Sequence, residues 1–309
     1  MGLFDKWFGK SADKTKTSGK KSRKAAYGPQ PQKLDVSARF QLDRHAFTGT
    51  MSKFQVAKEI QTGKLFGIKF LDAEKLAYFN SRFKGLNKPH EGEIGMRIEH
   101  PQIVKTFEYG HTTSNQEYIL MEYVNGPGLD MSIRQRDVSV FPDRLKLIRQ
   151  MAEAIQAVHD QGFIHRDVCP RNFICSRDHT YLKLIDFGLT VPDQPPFRQP
   201  GNRTGTPQYM APEIVRRRAT SPRLDIFAFG VTVYRLLTFE HPWNATDTTG
   251  KVALAHDTEK PVPIQEHLPT INKKLADAVH RCLLPIPDQR MPSCKSFISS
   301  IVTVKSETG

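Results

Sequence analysis

His165-Arg166-Asp167-Val168-Cys169-Pro170-Arg171-Asn172 sets a carboxylate and an amide five residues apart in one short stretch. Nineteen positions after Asp167 comes Asp186-Phe187-Gly188, directly behind the strand-like Tyr181-Leu182-Lys183-Leu184-Ile185. Gly205-Thr206-Pro207-Gln208-Tyr209-Met210-Ala211-Pro212-Glu213 and Asp225-Ile226-Phe227-Ala228-Phe229-Gly230 follow. Asp167 can accept a proton. Asn172 can offer a metal an oxygen from the same loop, and Asp186 can bridge metal and phosphate; oxygen donors of this type suit Mg²⁺. Phosphoryl transfer requires such a set, because it depends on positioning, metal ions and a group to receive the hydroxyl proton.

Upstream of this stretch the pattern is β. Phe54 to Ala57 and Leu65 to Phe70 flank Gln61-Thr62-Gly63-Lys64, which predicts two antiparallel strands around a turn. A helix is expected from about Ala73 to Phe83, then strands over Ile103 to Phe107 and Tyr118 to Val124. Asn125-Gly126-Pro127-Gly128 breaks the pattern, and the chain turns helical. Leu145, Ile148, Met151, Ile155 and Val158 line one face of a helix over Arg144 to His159. Further helices are expected over Ile226 to Thr238 and Asn272 to Leu283.

Composition sets the bounds. Of 309 residues 38% are hydrophobic and 25% charged, so the body can bury a core. The most apolar run, Ile226 to Phe239, is interrupted by Arg235 and reads as a buried helix, not a membrane span. The four cysteines form no CxxC pair, which suggests free thiols in a reducing compartment, the cytoplasm. The net charge is +13, and residues 1–33 hold nine lysines and arginines against two aspartates, which gives +7 of it. Residues 1–35 are therefore expected to be a flexible basic tail. Two roles stay open for it: a solvated linker, or contact with an anionic membrane or nucleic acid. Leu3, Phe4, Trp7 and Phe8 at its start fit a membrane or partner contact and a frayed terminus equally. Lys6 stands where a myristoylation signal has Ser or Thr, so that anchor is not expected.

From about Phe40 to Ile301 the chain resembles the eukaryotic-type protein kinases, on the His-Arg-Asp, Asp-Phe-Gly and Ala-Pro-Glu segments and a strand lysine, in order. The resemblance implies an α+β, two-lobed protein kinase fold over residues 36–304, with a small, mostly antiparallel β lobe (36–124) and a larger helical lobe (125–304). It implies transfer of the γ-phosphoryl group of ATP, with Mg²⁺, to protein hydroxyls. Asp167 would then be the catalytic base, and Asn172 and Asp186 the metal ligands. Lys69 would hold the α/β-phosphates, paired with Glu91 or, as the alternative, Glu93. Met121, Glu122 and Val124 would form gatekeeper and hinge, and Ile174 the floor of the adenine pocket. Glu213 with Arg290, and Asp225, would be scaffold. Arg166 would read a phosphate on the activation segment, for which Thr204 is the candidate acceptor.

Several positions depart from the family pattern. Only Gly49 survives of the phosphate-loop glycines in Phe47-Thr48-Gly49-Thr50-Met51-Ser52. Phe54 stands for the valine that roofs adenine, and Gly67 for the usual alanine beside it. The two either compensate in volume or Phe54 fills the adenine slot. Gly85, Pro89, Gly92 and Gly95 crowd the Glu91 region, which disfavours a long helix. Cys169 replaces the lysine of Ser/Thr kinases, and Arg171 has the place that many tyrosine kinases use for a cation. The Gly205 to Glu213 segment reads as Ser/Thr type. The intact polar residues favour an enzyme; the eroded glycine loop leaves a pseudokinase scaffold as the alternative.

Overall fold

The computed structural model describes residues 28–29, 32–49, 51–136, 138, 141–200, 204–243 and 252–308. Leu3, Phe4, Trp7, Phe8, the tail lysines to Lys24, Thr50 and Arg203 lie outside them.

A six-stranded sheet forms the small lobe. Its strands are β1 (Gly28–Pro29), β2 (Phe40–Thr48), β3 (Ser52–Glu59), β4 (Leu65–Leu71), β5 (Thr106–His111) and β6 (Glu117–Glu122), in the order β1-β5-β6-β4-β3-β2. All pairs are antiparallel except β1 with β5. The tail expected over residues 1–35 lies mostly outside the described residues, but its last part meets the sheet. Gly28–Pro29 pairs with Glu108 and Tyr109, Leu34 N–H donates to His111 O, and Leu34 is buried. Backbone pairing along a sheet edge leaves no hydrophobic period to read, so composition alone gave this part of the chain to the tail.

Register decides which side chains meet. Phe47, Phe54, Lys69, Ile119 and Tyr109 are successive cross-strand neighbours, and Val56, Gly67, Met121 and Thr106 form the adjacent row. Side chains directly opposite share a face, so both rows look toward the large lobe. Phe40, Phe66, Ile68, Phe70, Tyr118 and Leu120 pack together on the other face. The strand expected over Ile103 to Phe107 starts only at Thr106. Ile103 and Val104 instead pair with Leu184 of the large lobe, which buries them.

Helices α1 (Val36–Arg39), α2 (Ala73–Asn80) and α3 (Glu91–Arg97) complete the small lobe. Asp35 and Asp72 cap the first two, accepting from backbone N–H groups of Ala38 and Lys75. The glycines near Glu91 do shorten α3 to seven residues. They also let it lie almost against the sheet. A Cβ on Gly92 would stand 2.5 Å from Tyr109 Cβ, and one on Gly95 would collide with Thr106 Oγ1.

The large lobe is built on α4 (Leu129–Arg134), α5 (Arg144–Asp160), α6 (Pro212–Val215), α7 (Arg223–Thr238), α8 (Val252–Thr258), α9 (Ile264–His267), α10 (Lys273–Cys282) and α11 (Cys294–Ser300). Helix α7 is buried nearly all round, as its apolar run predicts. No helix of the described residues is long and apolar enough to cross a membrane. The four cysteines are buried and free. Short strands β7 (Phe163–Ile164), β8 (Phe173–Cys175), β9 (Leu182–Leu184) and β10 (Val191–Pro192) lie at the lobe boundary. The loop from β7 to β8 carries Asp167, and the turn after β9 carries Asp186.

Candidate active site

Lys69, on β4, extends from the cleft face of the sheet. Its Nζ lies 2.5 Å from Glu91 Oε1 and 2.9 Å from Asp186 Oδ1, so one cation joins strand, helix and the opposite lobe. Glu91, not Glu93, makes this contact. Burial opposes the Lys69 charge, but the Asp186 and Glu91 carboxylates outweigh it and raise its pKa above the lysine value. One lysine faces two carboxylates, and they respond unequally. Burial keeps Glu91 above its ordinary value, whereas for Asp186 the Lys69 charge and the Gly188 N–H overcome burial and lower it.

Across the cleft, Asp167 sits in a closed set of hydrogen bonds. Its Oδ1 accepts from Thr206 N–H at 2.9 Å and Thr206 Oγ1 at 2.8 Å; its Oδ2 accepts from Asn172 Nδ2 at 3.0 Å. Asn172 Nδ2 also donates to Asp167 O, so the amide is oriented and its Oδ1 is left as an acceptor. Asp186 Oδ1 takes the Gly188 N–H and Lys69, which leaves its Oδ2. Two free oxygens on adjoining strand ends, with Ile185 N–H on Asn172 O, fit a small hard cation such as Mg²⁺. The exposed Arg171 donates through Nη2 to Thr206 Oγ1 at 2.9 Å, one residue removed from Asp167.

This loop is braced from below. Asp225, wholly buried, accepts the N–H groups of His165 and Arg166, each at 2.8 Å, and bonds His159. Burial would raise its pKa, but the His159 hydrogen bond and charge hold it below the usual carboxylate value. Arg166 stands at φ 70°, a left-handed conformation that a non-glycine residue keeps only where its surroundings fix it. Burial and the nearby Arg82 lower its pKa to about 10 despite Asp225. Its Nη2 lies 3.5 Å from Thr204 Oγ1. Arg290 and Glu213 form a buried two-pronged pair at 2.6 and 2.7 Å. Phe187 meets His165 edge to face at 5.8 Å and reaches the Gly95 position of α3.

The walls suit a flat apolar ring. Val104, Ile119, Met121 and Val124 pack with Phe54, Ile174 and Ile185, joining both lobes. Phe54 is tucked against the sheet: a Cβ on Gly67 would lie 2.5 Å from its Cε2 and 3.1 Å from Met121 Cγ. The ring thus takes the space an alanine side chain would fill, which is the compensating alternative. We predict that Gly67→Ala drives this ring into the cleft and weakens nucleotide binding. Overpacking of this kind costs about 1–3 kcal/mol, and adding Phe54→Val should restore binding, measured by calorimetric titration. At the end of β6, Glu122 N–H donates to Lys105 O and the Glu122 carboxylate pairs with Lys183. The Val124 backbone makes no hydrogen bond among the described residues.

The phosphate loop is a tight hairpin, with Gly49 N–H donating to Ser52 O at 2.8 Å. Phe47, its ring 6.4 Å from that of Phe54, is exposed at the cleft mouth. Sequence reasoning missed Met51. Its Cε, Asp186 Oδ1 and Glu91 Oε2 all lie within 3.4 Å of the point where a Gly188 Cβ would stand. The loop tip therefore closes onto the Asp186 turn, and no sequence period announces that contact.

Below the end of the activation segment, Arg235 Nη1 bonds Tyr209 OH, His241 packs on the Tyr209 ring, and His256 Nδ1 donates to Met210 O at 2.8 Å. Burial lowers both histidines to about 4, with Arg235 adding to the effect at His241. The native state thus disfavours their protonation, so stability that is complete above about pH 6.5 should fall as pH drops toward 4. Thermal melts over this range should show the loss. His256→Gln, which keeps a donor for Met210 O but does not titrate, should show less of it.

A protein kinase domain model matches residues 41–306. The serine/threonine-protein kinase PknA of Mycobacterium tuberculosis is 29% identical over 280 residues, which cover 88% of this chain and 63% of that protein. PknB of Mycobacterium leprae is 28% identical over 279 residues, 88% of this chain and 44% of that one. The serine/threonine-protein kinase pkn2 of Myxococcus xanthus is 29% identical over 287 residues, 89% and 34%. The chain spans less than two thirds of the length of these relatives. With the family match running over most of its length, through both lobes and every polar group of the cleft, the chain belongs to the protein kinase domain family.

Proposed function

We propose that the chain transfers the γ-phosphoryl group of ATP to serine or threonine hydroxyls of protein substrates. The observation that carries this is the meeting of two sets across one cleft, Lys69–Glu91–Asp186 above and Asp167–Asn172–Thr206 below. Lys69 would draw the α/β-phosphates to a fixed depth. Asn172 Oδ1 and Asp186 would hold Mg²⁺, which supplies charge neutralisation on the phosphates. Asp167 would orient the acceptor hydroxyl and take its proton as the oxygen bonds the γ-phosphorus and the bond to ADP breaks. Arg171, held beside Asp167 through Thr206, would provide the cation that Cys169 cannot. Met121, the Glu122 carbonyl, Val124, Phe54 and Ile174 would bind adenine, with Gly49 in the loop above the phosphates.

A titration of ATP with and without Mg²⁺ tests this. Binding that strengthens with Mg²⁺ and weakens in Asp186→Asn is expected; no saturable binding would remove the proposal. Every polar residue that a pseudokinase would have to lack is present, so nothing in the geometry favours that alternative.

Regulation through Thr204 belongs to the same proposal. A phosphate there would meet Arg166, whose charge is disfavoured by burial and by Arg82. Protein pre-incubated with Mg-ATP should gain activity, and Thr204→Ala should not; equal activity of the two would remove this role. The four buried free thiols fit a reducing setting such as the cytoplasm. Contact of the basic tail with anionic lipid or nucleic acid rests on its charge alone and is testable by tail deletion in a salt-dependent binding assay.

A further inference from the structure

Helix α3 carries Glu91 at its first position, and the residue before it is a histidine. His90 Nδ1 accepts the Gly92 N–H at 3.0 Å, the one side-chain cap on this helix start among the described residues. That bond requires an unprotonated Nδ1, so the ring proton is on Nε2, which lies 3.2 Å from Glu117 Oε2 of β6. The imidazole stacks on Tyr109 of β5 at 4.8 Å and 19°, the same ring that Gly92 presses upon. Three contacts therefore converge on His90: cap, carboxylate and aromatic face.

We propose that His90 is a positioning residue that holds Glu91 against Lys69 while neutral and releases it when protonated. Ser, Thr, Asn and Asp are the usual N-caps and accept at any neutral pH. Histidine alone loses its acceptor on taking a second proton, and it then sets a positive charge against the positive end of the helix. The charged groups around it are Glu117 and Glu91, Lys88 in the turn before, and His111 of β5, 3.8 Å from Glu117 Oε1. Glu93 faces Tyr109 from α3. Helix α3 has only seven residues, so loss of the cap removes a large share of the hydrogen bonds that hold its start.

The inference rests on the proposed phosphotransfer, so two readouts are needed. The first is the ratio of kcat at about pH 7.5 to that at about pH 5.5, within the range where histidine takes up its second proton. It should be roughly three- to tenfold larger in wild type than in His90→Asn, which caps without titrating. Melts at both pH values separate this from the acid loss at His241 and His256, which both proteins share. The second readout needs no activity. The Gly92 amide resonance should shift with pH in wild type and stay fixed in His90→Asn. Equal kcat ratios, or a Gly92 amide that does not titrate in wild type, would overturn the inference. Absence of phosphotransfer at every pH would instead count against the proposed activity, and the Gly92 amide would still decide the role of His90.

Discussion

Asp167→Asn should lower kcat by about 10²–10⁴-fold, the contribution of a positioned general base, and leave ATP affinity within a small factor. In the 165–172 loop the Asp167 carboxylate is the group proposed to take the proton. The asparagine keeps the size but changes the bonding. Its carbonyl can still accept from Thr206, whereas its NH₂ would face the Asn172 Nδ2 donor, now at 3.0 Å from Asp167 Oδ2. That donor–donor clash disturbs the loop locally. The ATP contacts proposed for Lys69 and the hinge lie on the other side of the cleft and do not depend on it. Steady-state kinetics with a protein substrate and titration with ATP separate the two effects. A variant with near-normal kcat would show that the proton goes elsewhere.

The second large effect is expected in the small lobe. Gly95→Ala should cut kcat/KM by about tenfold or more, through the about 1–3 kcal/mol that overpacking costs. Two effects oppose each other here. Alanine favours helix over glycine by about 1 kcal/mol in an open position. At Gly95, however, the new methyl meets Thr106 Oγ1 directly, and the cavity beside it, lined by Glu91, Thr106, Met121 and Phe187, has only about 10 Å³ to give. The helix cannot slide away, because Gly92 is already against Tyr109. It must lift, and Glu91 lifts with it from Lys69. Removing the obstruction with Thr106→Ala should restore activity in the double variant, a strong coupling in a double-mutant cycle. Additive losses would show that α3 is not seated by this contact.

The large lobe was legible because its chemistry is local. Asp167 and Asn172 lie in one loop, Asp186 follows a readable strand, and α5 and α7 show their apolar faces within single segments. Short loops tie Asp167 and Asp186 to buried strands, which brings them to one cleft. The small lobe was less legible for a physical reason. Propensity counted Gly92 and Gly95 against a helix, yet they are the surface by which a short helix touches the sheet. Whether Phe54 and Gly67 compensate depended on register, since only cross-strand rows put the ring over the glycine. His90 was missed because histidine is not a usual cap, and Met51 because its contact spans the cleft. The two-residue Gly28–Pro29 strand is too short to show an alternating pattern.

Incubation with γ-labelled ATP and Mg²⁺, for wild type and Asp167→Asn side by side, followed by phosphoamino-acid analysis, tests the central claim most directly. The proposed reaction requires label on serine and threonine in the wild type and none above background in the variant. Equal label in both proteins, or label confined to tyrosine, would contradict it.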